Sequence, residues 1–377
     1  LMGEHGGAPF FLSYILCLFC IGVPLLVAEV VLGSHGRGSP FLSMSWATEV
    51  SGRSRLWLTV ALLSCLAGFL LLVSYLMIAG WSLSYAYQQQ LGLFAAISLT
   101  GAADYFTTEL SLPAGLLRWQ FLAAVCLVLV VSLGVRRGIG IFVWVAVPLL
   151  VALLGVLISF SVEFGDLSAA GNYLFAWQPM DFDRGSFMAA LGHALYTLTI
   201  GVAAGMSYGA YAPDRLPIVR SVLTVALFDV VLAVAAGVAI FPLLFANNLM
   251  PAEGFGLLFI SVPYAFGNMP FGDMYGGLFF LTVFIVTLGT AVALMEPIVS
   301  VLEQQFRLRR LPAAIAVSGS AFLLSAYATV DLSAAASGQG FLLWLDGVSS
   351  QFLIPAAVLL LAVFVGWRMP RELLRLS

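Results

Sequence analysis

Three carboxylates stand inside long apolar runs: Glu29 in Val27-Ala28-Glu29-Val30-Val31-Leu32-Gly33, Asp229 in Ala226-Leu227-Phe228-Asp229-Val230-Val231-Leu232, and Glu296 just ahead of Pro297. An acid buried at membrane depth costs several kcal/mol without a partner, so each is a functional candidate. Asp229 lies deepest, and a cation, a proton or a hydrogen-bond donor has to answer it. Glu29 and Glu296 sit near one end of their runs. For these two, holding the freed backbone of a broken or kinked helix is as good a reading as ion binding.

A second source of polar groups is the stretch 192–211, Gly-His-Ala-Leu-Tyr-Thr-Leu-Thr-Ile-Gly-Val-Ala-Ala-Gly-Met-Ser-Tyr-Gly-Ala-Tyr. It is long and apolar enough to span a bilayer, yet its middle carries Thr197, Thr199, Gly201 and Gly205 where a plain lipid anchor carries Leu and Ile. Backbone released from helical bonding survives in a membrane only where protein buries it or a cavity receives it. An interrupted helix would therefore offer carbonyls, amides and hydroxyls to a solute or ion. Close helix packing explains the same small residues, and spacing alone leaves both readings open. Tyr75, flanked by Ser74 and Gly80-Trp81, also needs a partner for its hydroxyl when buried. A backbone carbonyl would suffice.

The elements that must position these groups are membrane helices. The 377-residue chain is 62% hydrophobic and 9% charged, with a mean hydropathy of +1.07, a surface that no soluble globular protein of this length tolerates. We expect one all-α integral domain over 1–377, a polytopic membrane protein. Nine spans are marked at about 9–33, 57–89, 115–135, 139–161, 187–211, 217–246, 275–305, 311–331 and 341–367, each long enough to cross. Alternating the loops puts Arg37, Arg53, Arg55, Arg136, Arg137, Arg215, Arg220, Arg307, Arg309, Arg310, Arg368, Arg371 and Arg375 on one face and only Arg118 and Arg184 on the other. The positive-inside rule makes the Arg-rich face cytoplasmic, which predicts a multi-pass protein of the inner (cytoplasmic) membrane. The opposite face carries most of the acids, among them Asp104, Glu109, Asp166, Asp181, Asp183, Glu253, Asp273, Asp331 and Asp346. Residues 251–272, apolar but short and punctuated by Pro and Gly, read as an external re-entrant or capping hairpin.

Several function classes are excluded on these grounds. Cys17, Cys20, Cys65 and Cys126 all lie in apolar runs and read as small core residues. Neither His5 nor His193 has metal-ligand spacing around it. No phosphate-binding loop, dinucleotide fingerprint or nucleophile triad appears, so we expect no enzyme and no organic cofactor. The arginines are confined to loops as small groups, which leaves no nucleic-acid footprint beyond membrane topology.

Set in order, these pieces resemble the neurotransmitter:sodium symporters of the LeuT-type fold, bacterial sodium-dependent amino-acid transporters among them. Gly3-Glu4-His5-Gly6-Gly7-Ala8-Pro9-Phe10 looks like the ENGGGAF that closes the family's first helix, and Gly22-Val23-Pro24 with Glu29-Val30-Val31-Leu32-Gly33 resembles its second. Ser74-Tyr75 with Gly80-Trp81 is similar to the third, Leu195 to Gly201 to the FFSLSLG of the broken sixth, and Gly237 to Pro242 to the seventh. Leu294-Met295-Glu296-Pro297 and Leu345-Asp346 through Trp367 resemble the eighth and tenth. The order and spacing of all of them carry the likeness, more than any one.

The resemblance implies an inverted-repeat bundle and sodium-coupled symport of an amino acid or small amine by alternating access, with a midplane site. It implies that Tyr75 binds the substrate carboxylate and Tyr196 lids the site, with Leu71, Thr199, Val202, Thr290 and Leu294 around the substrate side chain and Gly201 in the unwound backbone. It gives Thr197 and Asp229 to the sodium that touches substrate, and Val286 and Thr290 to a second sodium, where Gly289 replaces an oxygen-bearing residue. Asp346 and Tyr196 would form the external gate, with His193 near it in place of a Gln. Asp229, beside Ala233, would supply a negative charge that relatives take from chloride. The resemblance further implies that most of the first helix lies upstream of Leu1 and that no eleventh helix precedes Ser377. A non-transporting remnant or solute-binding membrane protein is therefore the alternative.

Overall fold

The computed structural model describes residues 2–177, 182–213, 215–250, 254–334 and 340–370; Asp181, Glu253, Arg371 and Arg375 lie outside them. Eight helices among the described residues are long and apolar enough to cross a membrane. They are α1 (Ala8–Gly36), α2 (Arg55–Gln90), α3 (Ala114–Ser132), α4 (Val135–Phe164), α7 (Ile218–Ala246), α8 (Gly272–Gln305), α9 (Arg310–Leu332) and α10 (Phe341–Arg368). Between α4 and α7 the expected span 187–211 is two shorter helices, α5 (Arg184–Thr197) and α6 (Ala204–Tyr211).

Burial sorts these helices into centre and rim. Half of the apolar window of α8 is buried, against 11% for α7, so α8 runs through the middle and α7 lies at the edge. The longest pairing is α2 along α8, with α3 and α9 packed on α2. A separate body forms where α1 packs on both α5 and α6. Its closest approach is glycine-made: a Cβ at Gly209 would stand 2.2 Å from the Val30 carbonyl oxygen, and one at Gly33 would collide with the backbone of Met206. The small residues of 192–211 thus serve packing as well as interruption.

Among the described residues three helical segments carry a wide π turn directly before a proline of the same helix: Leu18–Gly22 before Val23-Pro24 in α1, Leu257–Ser261 before Val262-Pro263 in the helix 254–267, and Val348–Leu353 before Ile354-Pro355 in α10. Proline has no amide hydrogen, so the ordinary bond back four residues is lost and the turn widens. The side chains beyond it are re-aimed.

The described part of the expected 251–272 hairpin is one apolar helical arm, Gly254–Gly267. It is held by rings: the buried Phe259 packs on Trp81 and Tyr85, with centroids 5.4 and 5.0 Å apart. At the same end Asp183 caps α5, accepting from the Ser186 amide at 2.7 Å and the Ser186 hydroxyl at 2.9 Å. Those two bonds, the amide first, hold its carboxyl below the usual aspartate range. The cap is therefore complete above the ordinary aspartate pKa and is lost only as pH falls through the lower folded value.

At the Arg-rich end Glu296 is fully buried. It is not a backbone cap: it pairs with the Arg310 guanidinium, which also reaches Glu303 at 2.9 Å and the Val131 carbonyl at 2.7 Å. The Tyr211 hydroxyl donates to Glu296 at 2.8 Å, which ties the end of α6 to α8. Burial of the charge is tolerable because its partners are fixed.

The glycine contact gives a direct test. Gly209→Ala is expected to destabilise the chain by about 1–3 kcal/mol through overpacking against Val30, read as a lower thermal midpoint in detergent. Gly192→Ala, inside α5 where a Cβ meets nothing within 4 Å, is expected not to lower that midpoint and to raise it slightly through the better helix propensity of alanine.

Candidate functional site

The site is built on the turn Leu198–Ala203 between α5 and α6. Its backbone passes through left-handed conformations at Thr199 (φ 51°), Gly201 (φ 79°) and Ala203 (φ 62°). Only glycine accepts such angles freely, so Thr199 and Ala203 are strained by on the order of 1–3 kcal/mol each. Within the turn the Thr199 amide bonds the Tyr196 carbonyl at 3.0 Å, and the Ile200 amide bonds that of Leu195 at 3.2 Å. The Gly201 amide instead donates to Glu29 Oε1 of α1 at 2.8 Å. Glu29 is fully buried, and its Oε2 lies against Gly205 in the first turn of α6. A carboxylate there answers both a freed amide and the positive end of a helix. Of the two roles left open for Glu29, Oε1 performs backbone holding, while the buried Oε2 has no hydrogen-bond partner among the described residues.

One residue before the turn, the Thr197 hydroxyl donates to Asp229 of α7, 2.8 Å from one oxygen and 3.0 Å from the other. The Tyr14 hydroxyl of α1 donates to the same carboxylate at 3.2 Å. Tyr14 in turn stacks at a tilt on the His193 ring, 5.1 Å between centroids. Two elements, α5 and α1, thus bring hydroxyl groups to the Asp229 carboxylate of a third. Carboxylate and hydroxyl oxygens are the ligands a hard cation prefers.

On the other side of the turn lies a small cavity with about 10 Å³ of free space. Leu71, Tyr75, Tyr196, Thr199, Val202, Thr290 and Leu294 line it, together with Ile200 and Ile354. Seven of the eight residues expected at a substrate pocket are thereby brought to one place. The eighth, Gly201, is in the turn with its amide committed to Glu29. The walls are apolar apart from two threonine hydroxyls and two tyrosines, and the Tyr75 and Tyr196 hydroxyls reach each other. Asp346 of α10 lies close enough for its charge to act on both.

The expected second cation pair is less well furnished. The Thr290 hydroxyl donates to the Val286 carbonyl at 3.1 Å, an ordinary bond within one helix, and the Val286 side chain points outward, 44% exposed. A Cβ at Gly289 would meet only a Phe142 ring carbon at 3.7 Å, so no third oxygen comes from that side. Among the described residues no group of three His, Cys, Asp or Glu side chains is placed to hold a metal.

Sequence reading missed Tyr14, Ile200 and Ile354. Tyr14 had a usable signal, a phenol inside a membrane run that needs a partner. Ile200 and Ile354 had none, since an isoleucine in an apolar helix reads as core or lipid contact.

A variant separates the role of Glu29 from that of Asp229. Glu29→Ala leaves the buried Gly201 amide unsatisfied, an expected loss of about 1–3 kcal/mol, seen as a lower unfolding midpoint with or without sodium. Glu29→Gln keeps an acceptor and is expected to recover part of it.

Comparison with known proteins agrees with this geometry. Residues 103–374 match the model of the sodium:neurotransmitter symporter family. An uncharacterised sodium-dependent transporter of Bacillus subtilis, YhdH, is 27% identical over 98% of this chain and 82% of its own length. Another of Methanocaldococcus jannaschii, MJ1319, is 24% identical over 98% of this chain and 77% of its own. The crystal structure of MhsT in complex with L-phenylalanine superposes with a TM-score of 0.88 at 29% identity, over 99% of this chain and 85% of that one. The chain, with its interrupted helix and the residues gathered around it, belongs to the sodium:neurotransmitter symporter family.

Proposed function

We propose that this chain carries an amino acid or a related small amine across the cytoplasmic membrane together with sodium, by alternating access. The supporting observation is that Thr197, at the end of α5, holds the Asp229 carboxylate while the unwound turn that follows it lines the small apolar cavity. Family membership and the phenylalanine-bound structure of MhsT support an amino acid as cargo. They do not favour a solute-binding protein that fails to transport. The reading leaves no role for an enzyme reaction or an organic cofactor, and the Arg-rich loops are taken as cytoplasmic.

Sodium is cargo here. It is assigned to Thr197 and Asp229, where it would break their present hydrogen bond, the hydroxyl turning its hydrogen aside and offering an oxygen lone pair to the ion. The Thr290 hydroxyl and Val286 carbonyl form the candidate second ion site. The Tyr75 hydroxyl is assigned to the amino-acid carboxylate, with Tyr196 and Asp346 as the gate above it. The apolar walls favour an apolar side chain, because an unpaired charge among Leu71, Val202 and Leu294 would be costly.

Coupling follows from covalent proximity. Thr197, the last residue of α5, and Thr199, in the turn that follows, are two residues apart, so an ion that fixes the first also orders the second, and each cargo raises the affinity for the other. Rigid-body motion is assigned to α1, α5 and α6 against α2, α3, α8 and α9, consistent with the two packed groups. Tyr211 must leave Glu296 when the Arg-rich end opens.

Reconstituted in liposomes, the chain is expected to accumulate a labelled apolar amino acid under an inward sodium gradient and not under a potassium gradient. Asp229→Ala is expected to weaken the sodium dependence at least about tenfold, within the range of typical coupling. Tyr75→Phe is expected to weaken amino-acid affinity while leaving sodium-induced thermal stabilisation in place. Unchanged sodium dependence in Asp229→Ala would remove the ion site from this residue.

A further inference from the structure

We propose that Ile354 of α10 is a specificity-determining residue, a stiff wall that limits how large an amino-acid side chain the cavity admits. The inference rests on reading that cavity as the amino-acid site. Ile354 lines it and is 4% exposed. It lies on a helix otherwise concerned with Asp346 and the gate, and the wide turn Val348–Leu353 explains how one helix serves both. In an unbroken α-helix, residues eight apart are rotated by about 80° from one another, at roughly 100° per residue. One extra residue taken up in the π turn cuts the effective separation to seven, and the offset to about 20°. Asp346 and Ile354 are thereby brought to nearly the same face, the acid toward the tyrosine hydroxyls and the isoleucine toward the cavity.

That wall is backed by the unwound turn. A Cβ on Gly201 would stand 2.7 Å from Val358 Cγ2 and 3.2 Å from the Ile354 carbonyl oxygen, so α10 presses directly on the unwound turn. Ile354 is β-branched and restricted at χ1, which denies it an easy swing away from a bulky solute. Leu71, Val202 and Leu294 close the remaining sides, all of them buried. A solute side chain that outgrows the space meets Ile354 backed by helix rather than by a flexible loop.

The test uses the reconstituted chain with L-alanine, L-valine, L-leucine, L-phenylalanine and L-tryptophan as competitors for one labelled amino acid in sodium. Ile354→Ala is expected to raise the phenylalanine-to-valine affinity ratio by about tenfold or more, the scale of removing methylenes from an apolar pocket. Ile354→Val shifts it the same way by less, and Ile354→Phe reverses it. If Ile354→Ala does not fold, the Val variant alone still reads the direction. A ratio unchanged in variants that bind amino acid, or an equal loss for all five competitors, overturns the role of Ile354 and leaves the cavity assignment standing. Failure of the unsubstituted chain to bind any of the five in sodium overturns the cavity assignment itself, and this inference with it.

Discussion

The fold depends on one hydrogen bond, from the Gly201 amide to the Glu29 carboxylate. A helix that comes apart inside a bilayer releases amides and carbonyls that lipid cannot satisfy, and water is not there to replace them. Here a carboxylate on the neighbouring helix takes the freed amide. That requires α1 and α6 to lie almost in backbone contact, and Gly33 and Gly209 make the contact possible. The glycines, the acid and the break form one device: without the close approach Glu29 could not reach, and without Glu29 the turn would have no answer for its amide.

A turn held this way presents two surfaces at once. Thr197 ends α5 and faces Asp229; Thr199 and Val202 face the cavity. Their separation is set by the chain itself, so the coupling proposed between them needs no long relay. Strain at Thr199 and Ala203 belongs to the same design. Left-handed backbone at non-glycine residues persists only where surrounding packing overdetermines it, and such positions gather at sites that must be held ready.

Much of this was legible in the sequence, though by two routes. Composition and the long apolar runs gave the membrane helices, and the Thr/Gly run marked the interruption. The pocket side chains came only from the family resemblance, because Leu71, Val202 and Leu294 are unremarkable residues in apolar helices. Glu296 shows why local reading falls short. Its partner, Arg310, lies across a loop on the next helix, and nothing near Pro297 in the sequence points to it. The stretch 251–272 was read as a hairpin because proline and glycine suggest turns. Its described part, 254–267, is helical, and Phe259 packs there against Trp81 and Tyr85.

Ile354 marks the deeper limit. Helical periodicity places a residue on a face only while the helix keeps its pitch, and the π turn in α10 changes the pitch between Asp346 and Ile354. Pro355 hints at the disturbance, since proline cannot supply the missing amide, but many prolines merely bend a helix. What decides the outcome is the unwound turn lying opposite, where α10 meets backbone rather than side chains. Sequence carries the proline and the glycine separately. Only their meeting in space makes a wall, and so the size limit of the cavity is a property of tertiary structure rather than of any one segment.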